Sequence, residues 1–504
     1  MTIVTKNASN FTFRFPATGA DFPNFRVQVS GSGFTYDGNV PTAGNMTQVR
    51  VFNELNQLVL TISNLQSNPF GADLSQFYAN VFGSQTEDGN DGPGPDGKMA
   101  WNHLLSGNDV ITGTAGNDER NLVGLDYGND TYNMGNGDDY VGGGMGDDTI
   151  NGGDGFDQLS YDETAYNEGA PAWRGVTINV NTGIALDPWG GTDTFTSIEQ
   201  FRGSRFNDTF IGGSERDRFS GMRGRDTIDG GDNSFDSLGN VTEDRRDEVR
   251  YNNDYWQGGT RGIIVNLETS FANGSIRGTI RDGFGNLDTV IDIERVVGTR
   301  YADVFNGSRM NNHFDGAEGK DTYDGGDGFD TLRFTNWTGD VEVGNVIVDL
   351  SRANNQVQND GFGNVEVALN MEGIISRDGN DQLKGNALDN YIEGQGGRDT
   401  MTGGGGSDEF LWWEDAQFGD GDRITDFSVA EDFLSFDTVG FNGMSTTLTL
   451  VNGTAATAAV GTFIFNAAND TLFWDRDGTG GAAAVAVVQL INVASLTTDN
   501  IVLY

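Results

Sequence analysis

Apolar residues return at nine-residue intervals through much of this chain. Val141, Ile150 and Leu159 stand at the eighth place of three stretches laid end to end, MGNGDDYVG (134–142), GGMGDDTIN (143–151) and GGDGFDQLS (152–160). The eighth place is predicted to lie on a short strand and point inward. One such unit cannot bury its apolar residue alone, so the units are predicted to stack into a coil. A different pattern opens the chain. FTFRF (11–15), FRVQV (25–29), TQVRVF (47–52) and LVLTIS (58–63) alternate apolar with polar residues, which predicts half-buried strands, with NELNQ (53–57) as a hairpin loop.

The polar positions are as regular as the apolar ones. Gly holds the fourth place and Asp the sixth. Glycine turns tightly through positive φ, and a turn free of side chains aims several carbonyl oxygens at one point. The sixth-place carboxylate adds to them, giving an oxygen-only cage suited to a hard cation such as Ca²⁺. The same register covers LLSGNDVIT (104–112), GTAGNDERN (113–121) and LDYGNDTYN (125–133), then three further blocks beginning at GSRFNDTFI (203–211), GTRYADVFN (298–306) and SRDGNDQLK (376–384). The candidate metal ligands are therefore Asp109, Asp118, Asp130, Asp139, Asp148, Asp157, Asp208, Asp217, Asp226, Asp303, Asp321, Asp330, Asp381, Asp399 and Asp408. Backbone carbonyls near Gly107, Gly116, Gly128, Gly137, Gly146, Gly155, Gly224, Gly319, Gly328, Gly379, Gly397 and Gly406 complete the set. Asn312 and Asn390 take the sixth place in two repeats and predict weaker or metal-free turns; Phe206, Arg216 and Tyr301 replace the fourth-place Gly in others.

The pattern G-G-x-G-x-D-x-U-x, with U apolar, resembles the RTX, or haemolysin-type, calcium-binding repeat family. That resemblance implies an all-β fold, a right-handed parallel β-roll or solenoid that binds several Ca²⁺ ions. It also implies export by a type I secretion machine reading an uncleaved C-terminal signal. DRITDFSVAEDFLSF (422–436) and the tail 477–504 look like that signal region and also read as a β-rich cap.

The segments between blocks repeat in their turn. GVTINV (175–180), GIIVNL (262–267) and NVIVDL (345–350) correspond. GGTDTFTSIEQFRGSRFNDTF (190–210) and GNLDTVIDIERVVGTRYADVF (285–305) lie 95 residues apart, and GNVEVALNMEGIISRDGNDQL (363–383) is a looser third copy. The predicted organisation is a small β-sandwich-like module at 1–86, a Gly/Pro/Asp linker at 87–103, a solenoid at 104–411 and a β-rich cap at 412–504. Within the solenoid, blocks 104–160, 203–238, 298–333 and 376–411 carry the repeats, and the inserts between them are strand-rich.

Charge and composition narrow the partners. Asp and Glu total 74 against 30 Lys and Arg, for a net charge of −44. A chain so acidic repels itself without metal and is a poor partner for nucleic acid or anionic membranes. It is expected to be largely unfolded in low calcium and to fold at ~10⁻⁴–10⁻³ M, the extracellular range. There is no Cys, so metal, not disulfide, must staple the fold. No segment is long and apolar enough to span a membrane as a helix, and the first residues lack the charge and apolar run of a secretory leader. The expected location is secreted, extracellular or attached to the cell surface, of a Gram-negative bacterium.

No enzyme motif emerges. The two histidines, His103 and His313, do not form H-E-x-x-H, and neither G-x-S-x-G nor a phosphate-binding Gly loop is present. Paired carboxylates of the glycosidase kind are not distinguishable in so acidic a chain. DRDG (475–478) resembles the start of an EF-hand loop but has Ala486 where the bidentate Glu belongs, and reads as a tight turn. The leading expectation is a calcium-dependent structural protein (S-layer, adhesin or biofilm matrix) that self-associates or holds a surface polysaccharide. The alternative is a secreted enzyme or carbohydrate binder, with its activity in the N-terminal module or the inserts. Trp173, Trp189, Trp256, Trp337, Trp412 and Trp413 are the aromatics available to a binder, although tryptophan more often packs inside.

Overall fold

A computed structural model describes residues 2–6, 10–14, 26–37, 40–52, 58–63, 110–112, 128–162, 172–231, 234–235, 241–243, 247–272, 274–334, 344–413, 417, 421–441, 444 and 447–504. The chain divides into two compact units, 1–232 and 233–504. Both are built from strands and single turns of 3-10 helix.

In the first unit the apolar eighth place dictates the fold. Thr and other β-favouring residues at the seventh place, followed by a large apolar residue, give three-residue strands such as Thr209–Ile211 and Thr227–Asp229. Successive coils pair these strands in parallel and in register. Val141, Leu159, Phe201 and Phe219 form one interior row along strands Tyr140–Gly142, Gln158–Ser160, Gln200–Arg202 and Arg218–Ser220. All four side chains are buried, each contributing about 1.5–3 kcal/mol over an exposed position. Phe201 and Phe219 stack at 5.9 Å. Facing them, Thr131–Asn136, Thr149–Asp154 and Thr192–Thr196 pair in parallel. The fold is thus a parallel β-roll, as the nine-residue period predicts.

The insert of this unit widens the roll without breaking it. Strand Thr192–Thr196 turns back through Ile184–Leu186 to Thr177–Asn179 as an antiparallel meander. Thr177–Asn179 then pairs in parallel with the next block, at Thr209–Ile211. The chain's opening is also antiparallel: Thr2–Lys6, Asn10–Arg14, Arg26–Asp37, Val40–Phe52 and Leu58–Ser63 pair in succession. The last of these pairs with Val110–Thr112, the first roll strand described. NELNQ and the 87–103 segment lie outside the described residues.

The second unit repeats the plan. Ile264–Ala272, Ser275–Arg281 and Leu287–Ile291 form its antiparallel meander. Parallel coils follow through Val304–Ser308, Thr322–Gly326 and Val367–Leu369. Phe305 packs 5.0 Å from Tyr323 and 5.1 Å from Phe314. Coiling continues past residue 411, where Asp422–Ile424 pairs in parallel with Thr400–Thr402. Phe433–Phe436 pairs with Glu409–Trp412, and Ile501–Leu503 with Phe433–Phe436. Gly480, Gly481 and Ala482 donate to Asp477 in the DRDG stretch, which is a tight turn. His313 is buried in strand His313–Asp315.

Candidate calcium turns

The sixth-place carboxylates form ladders. Asp130 donates its backbone N–H to Asp148 Oδ1 at 2.7 Å, and Asp139 to Asp157 Oδ1 at 2.8 Å, each 18 residues on. Eighteen residues are two nonapeptides, or one full coil. The same bond links Asp208 to Asp226, Asp303 to Asp321, Asn312 to Asp330, Asp381 to Asp399 and Asn390 to Asp408. Asp217 instead accepts from Gly213 N within its own turn, at 2.6 Å. A second ladder runs at the fifth place in the opposite sense. Asn129, Asp138, Asn207, Asn311, Asn380 and Asp389 each accept the N–H of the residue one coil later. Asp109 and Asp118, with Gly107 and Gly116, lie outside the described residues.

The first-place glycine makes room for the other carboxylate oxygen. A methyl group on Gly152, Gly325, Gly394 or Gly403 would collide with Oδ2 of Asp157, Asp330, Asp399 or Asp408. The fourth-place glycine serves the stacking. Gly155, at φ +141°, lies so close over the Gly137 carbonyl that any side chain would strike it. Gly146 stacks over Gly128 in the same way, Gly397 over Gly379, and Gly328 and Gly406 over Met310 and Leu388. Where the fourth place is not glycine, the backbone still offers its carbonyl: Gly224 lies over Phe206 O and Gly319 over Tyr301 O.

The turns fall into two kinds. Within the blocks, Oδ2 of Asp148, Asp157 and Asp330 is buried without a hydrogen-bond partner. At the starts of the three later blocks, by contrast, the chain itself satisfies the carboxylate. Ser204 N and Oγ donate to Asp208, each at 2.8 Å. Thr299 N and Oγ1 donate to Asp303 at 2.7 and 2.9 Å, and Ser376 Oγ donates to Asp381 Oδ2. Oδ1 of each also takes the N–H of Val176, Ile263 or Val346, from the repeated strands GVTINV, GIIVNL and NVIVDL. The two sixth-place asparagines keep their ladder position with an amide. Asn390 Nδ2 donates to Glu372 O at 3.0 Å.

The inserts and the C-terminal region supply acids that the nonapeptide pattern does not reveal. Asp148 N donates to Asp193 Oδ1 and Asp157 N to Glu199 Oε2. Asp321 N donates to Glu366 and Asp330 N to Glu372; Asp399 and Asp408 donate to Asp422 and Asp432. Asp247 N likewise donates to Glu294. These insert acids occupy matching places in the 190, 285 and 363 copies (Asp193, Asp288 and Glu366; Glu199, Glu294 and Glu372), so their alignment was the available signal.

Crowding so many carboxylates has an electrostatic cost. Burial, then the charges of Asp193, Asp130 and Asp187, push the Asp148 carboxyl up to about 9. Burial, with Glu372 next, takes Asp330 to about 8, and burial with Glu366 takes Asp321 to about 10. Among the described residues no three acidic or histidine side chains close on one point. A cation between coils would therefore take carboxylate oxygens from the ladder and the rest from turn carbonyls. Buried oxygen atoms without partners, glycine at the crowded positions and an all-oxygen donor set fit calcium.

The tryptophans divide. Trp412 is buried, stacks 5.5 Å from Phe436 and donates to Asp422. Trp173 and Trp256 are 64% and 73% exposed, against the packing expectation. Trp337 lies outside the described residues.

A family model for the RTX calcium-binding nonapeptide repeat, in four copies, matches residues 105–119, 126–159, 202–234, 297–332 and 376–410. No curated protein matches the chain. Among solved structures, the extracellular lipase LipA from Serratia marcescens aligns at 14% identity over 95% of this chain and 80% of that one, with a TM-score of 0.19.

Proposed function

We propose that this RTX calcium-binding repeat protein is a secreted structural component that folds on calcium after type I export and acts at the cell surface, as an S-layer, adhesin or matrix protein. The sixth-place aspartates inside the blocks hold its Ca²⁺ ions, with the fourth-place carbonyls as co-ligands, while hydrogen bonds hold Asp208, Asp303 and Asp381 at the block starts. One observation carries this reading: the acidic side chains are spent on joining coil to coil. Asp148, Asp157 and Asp330 each bind a neighbouring coil through one oxygen and leave the other buried and unpartnered. A divalent cation placed there cancels repulsion and contributes folding free energy. The experiment is a calcium titration followed together by circular dichroism and light scattering, with EGTA reversal. β-Structure appearing with large ordered assemblies supports the surface or matrix role. Folding to a persistent monomer rules out self-assembly, and no response to calcium rules out the metal reading itself.

A carbohydrate-binding role is the second reading, supported by the exposed Trp173, with Arg174 at 5.1 Å, and by Trp256 beside Tyr255 at 4.5 Å. A saturable change in tryptophan fluorescence with polysaccharide, lost on replacing both residues by Ala, is its test.

A further inference from the structure

The three inserts each carry a hairpin that opens with a buried Asp: Asp187-Pro-Trp-Gly-Gly191, Asp282-Gly-Phe-Gly-Asn286 and Asp360-Gly-Phe-Gly-Asn364. In all three, Oδ1 closes the turn. Asp187 accepts from the N–H groups of Trp189, Gly190 and Gly191; Asp282 and Asp360 accept from the corresponding backbone. The hairpins differ at Oδ2. Asn286 Nδ2 donates to Asp282 Oδ2 at 2.8 Å, and Asn364 Nδ2 to Asp360 Oδ2 at 2.9 Å. Gly191 has no such amide, and Asp187 Oδ2 is left buried without a hydrogen-bond partner.

The space beside that oxygen is not empty backbone. A methyl on Gly191 would strike both Asp187 Oδ2 and the carbonyl oxygen of Gly146. Two residues beyond Gly146, Asp148 holds a second buried Oδ2 without a hydrogen-bond partner. A buried carboxylate oxygen without a partner costs more than a lost hydrogen bond. In the other two hairpins an asparagine amide removes that cost.

We infer that Asp187 Oδ2, with the Gly146 carbonyl and Asp148, forms a divalent-cation site, specific for hard ions such as Ca²⁺, between the first insert and the repeat coil it covers. Asp187 belongs to no nonapeptide, so the site brings an insert carboxylate to the cation of the Asp148 turn and pins the insert hairpin to the roll. The site rests on the calcium reading of the turns.

Equilibrium dialysis of the full chain against radioactive calcium, at saturating free calcium, measures it. Asp187→Asn keeps Oδ1 and its backbone bonds while removing the charge, and circular dichroism verifies its fold. The expected result is one ion fewer per chain, with Asp282→Asn unchanged in ion count. Asp187→Asn retaining the full count, or Asp282→Asn losing an ion equally, overturns the site while leaving calcium binding by the turns intact. A wild-type chain that binds no calcium defeats the broader reading instead. Independently of any variant, terbium-loaded crystals of the wild-type chain should give an anomalous peak bridging Asp187 Oδ2 and Gly146 O. Occupied repeat turns with no such peak would also overturn it.

Discussion

Replacing Asp330 by Asn should change stability in a way that depends on calcium. Asp330 is fully buried, accepts Asn312 N–H through Oδ1 at 2.7 Å and has no hydrogen-bond partner at Oδ2. In the metal-free chain burial and the Glu372, Asp324 and Asp327 charges raise its carboxyl to about 8. At pH 7 that is roughly three pH units above an ordinary aspartate, at about 1.4 kcal/mol each, so the charge costs the metal-free fold ~4 kcal/mol. Asn removes this cost but buries an amide N–H₂ at ~1–3 kcal/mol. The net gain in EGTA is therefore about 1–3 kcal/mol. In calcium the variant forgoes one ion, worth about 2.7 kcal/mol at 100 times the dissociation constant and about 4.1 at 1,000 times. The effect of the substitution should thus shift by ~3–4 kcal/mol between the two conditions, favouring Asn only without metal. Sucrose-driven folding in EGTA and urea unfolding in calcium, both followed by circular dichroism, measure the two arms. Equal effects in both media would refute the assignment of Asp330 as a cation-facing carboxylate.

Other expectations follow from the same geometry. Asp148, Asp193 and Asp321 are raised to about 9, 7 and 10, chiefly by burial; such acids favour the metal-free fold below about pH 4 and lose that contribution as pH rises through their folded values. Calcium binds the ionised form and releases protons, so its folding midpoint should fall to lower calcium between pH 6 and 8, and a constant midpoint would contradict this. Thr299→Val removes the hydroxyl that donates to Asp303 and accepts from Tyr301 N–H; it should cost about 1.5–3 kcal/mol in urea unfolding with the calcium count unchanged, and a lower count would show that Asp303 holds an ion. Phe305→Ala empties a fully buried position against Phe314 and Tyr323 and should cost about 3–5 kcal/mol, measured by urea unfolding in calcium.

The interior of the roll was legible because one apolar place per nonapeptide has one destination. Val141, Leu159, Phe210, Phe305 and Ile392 are all buried. The burial of the described sixth-place aspartates, such as Asp157 and Asp330, has the same origin. The fifth-place ladder was not, since Asn129 or Asp138 reads as an ordinary turn residue until the next coil lies 18 residues away in sequence and adjacent in space. Glu199 and Glu372 were hidden by loop length: their partners, Asp157 and Asp330, are 42 residues distant, and the acid has lengthened from Asp to Glu. Exposure of Trp173 and Trp256 had no signal, because composition alone favours burial for that residue.

The two kinds of turn imply a division of labour between protein and metal. Asp208, Asp303 and Asp381 each open a block immediately after an insert, and each is held by a hydroxyl from its own turn and an N–H from the insert's first strand. Those bonds join the insert to the roll directly. At Gly153 and Gly326, inside the blocks, glycine stands where the hydroxyl was, and Asp157 and Asp330 meet the acids Glu199 and Glu372 of a neighbouring coil. Register after each insert is therefore set by hydrogen bonds, where a meander would otherwise let the chain slip. On the proposed calcium reading, the ion acts where coil stacks on coil and like charges oppose the stacking.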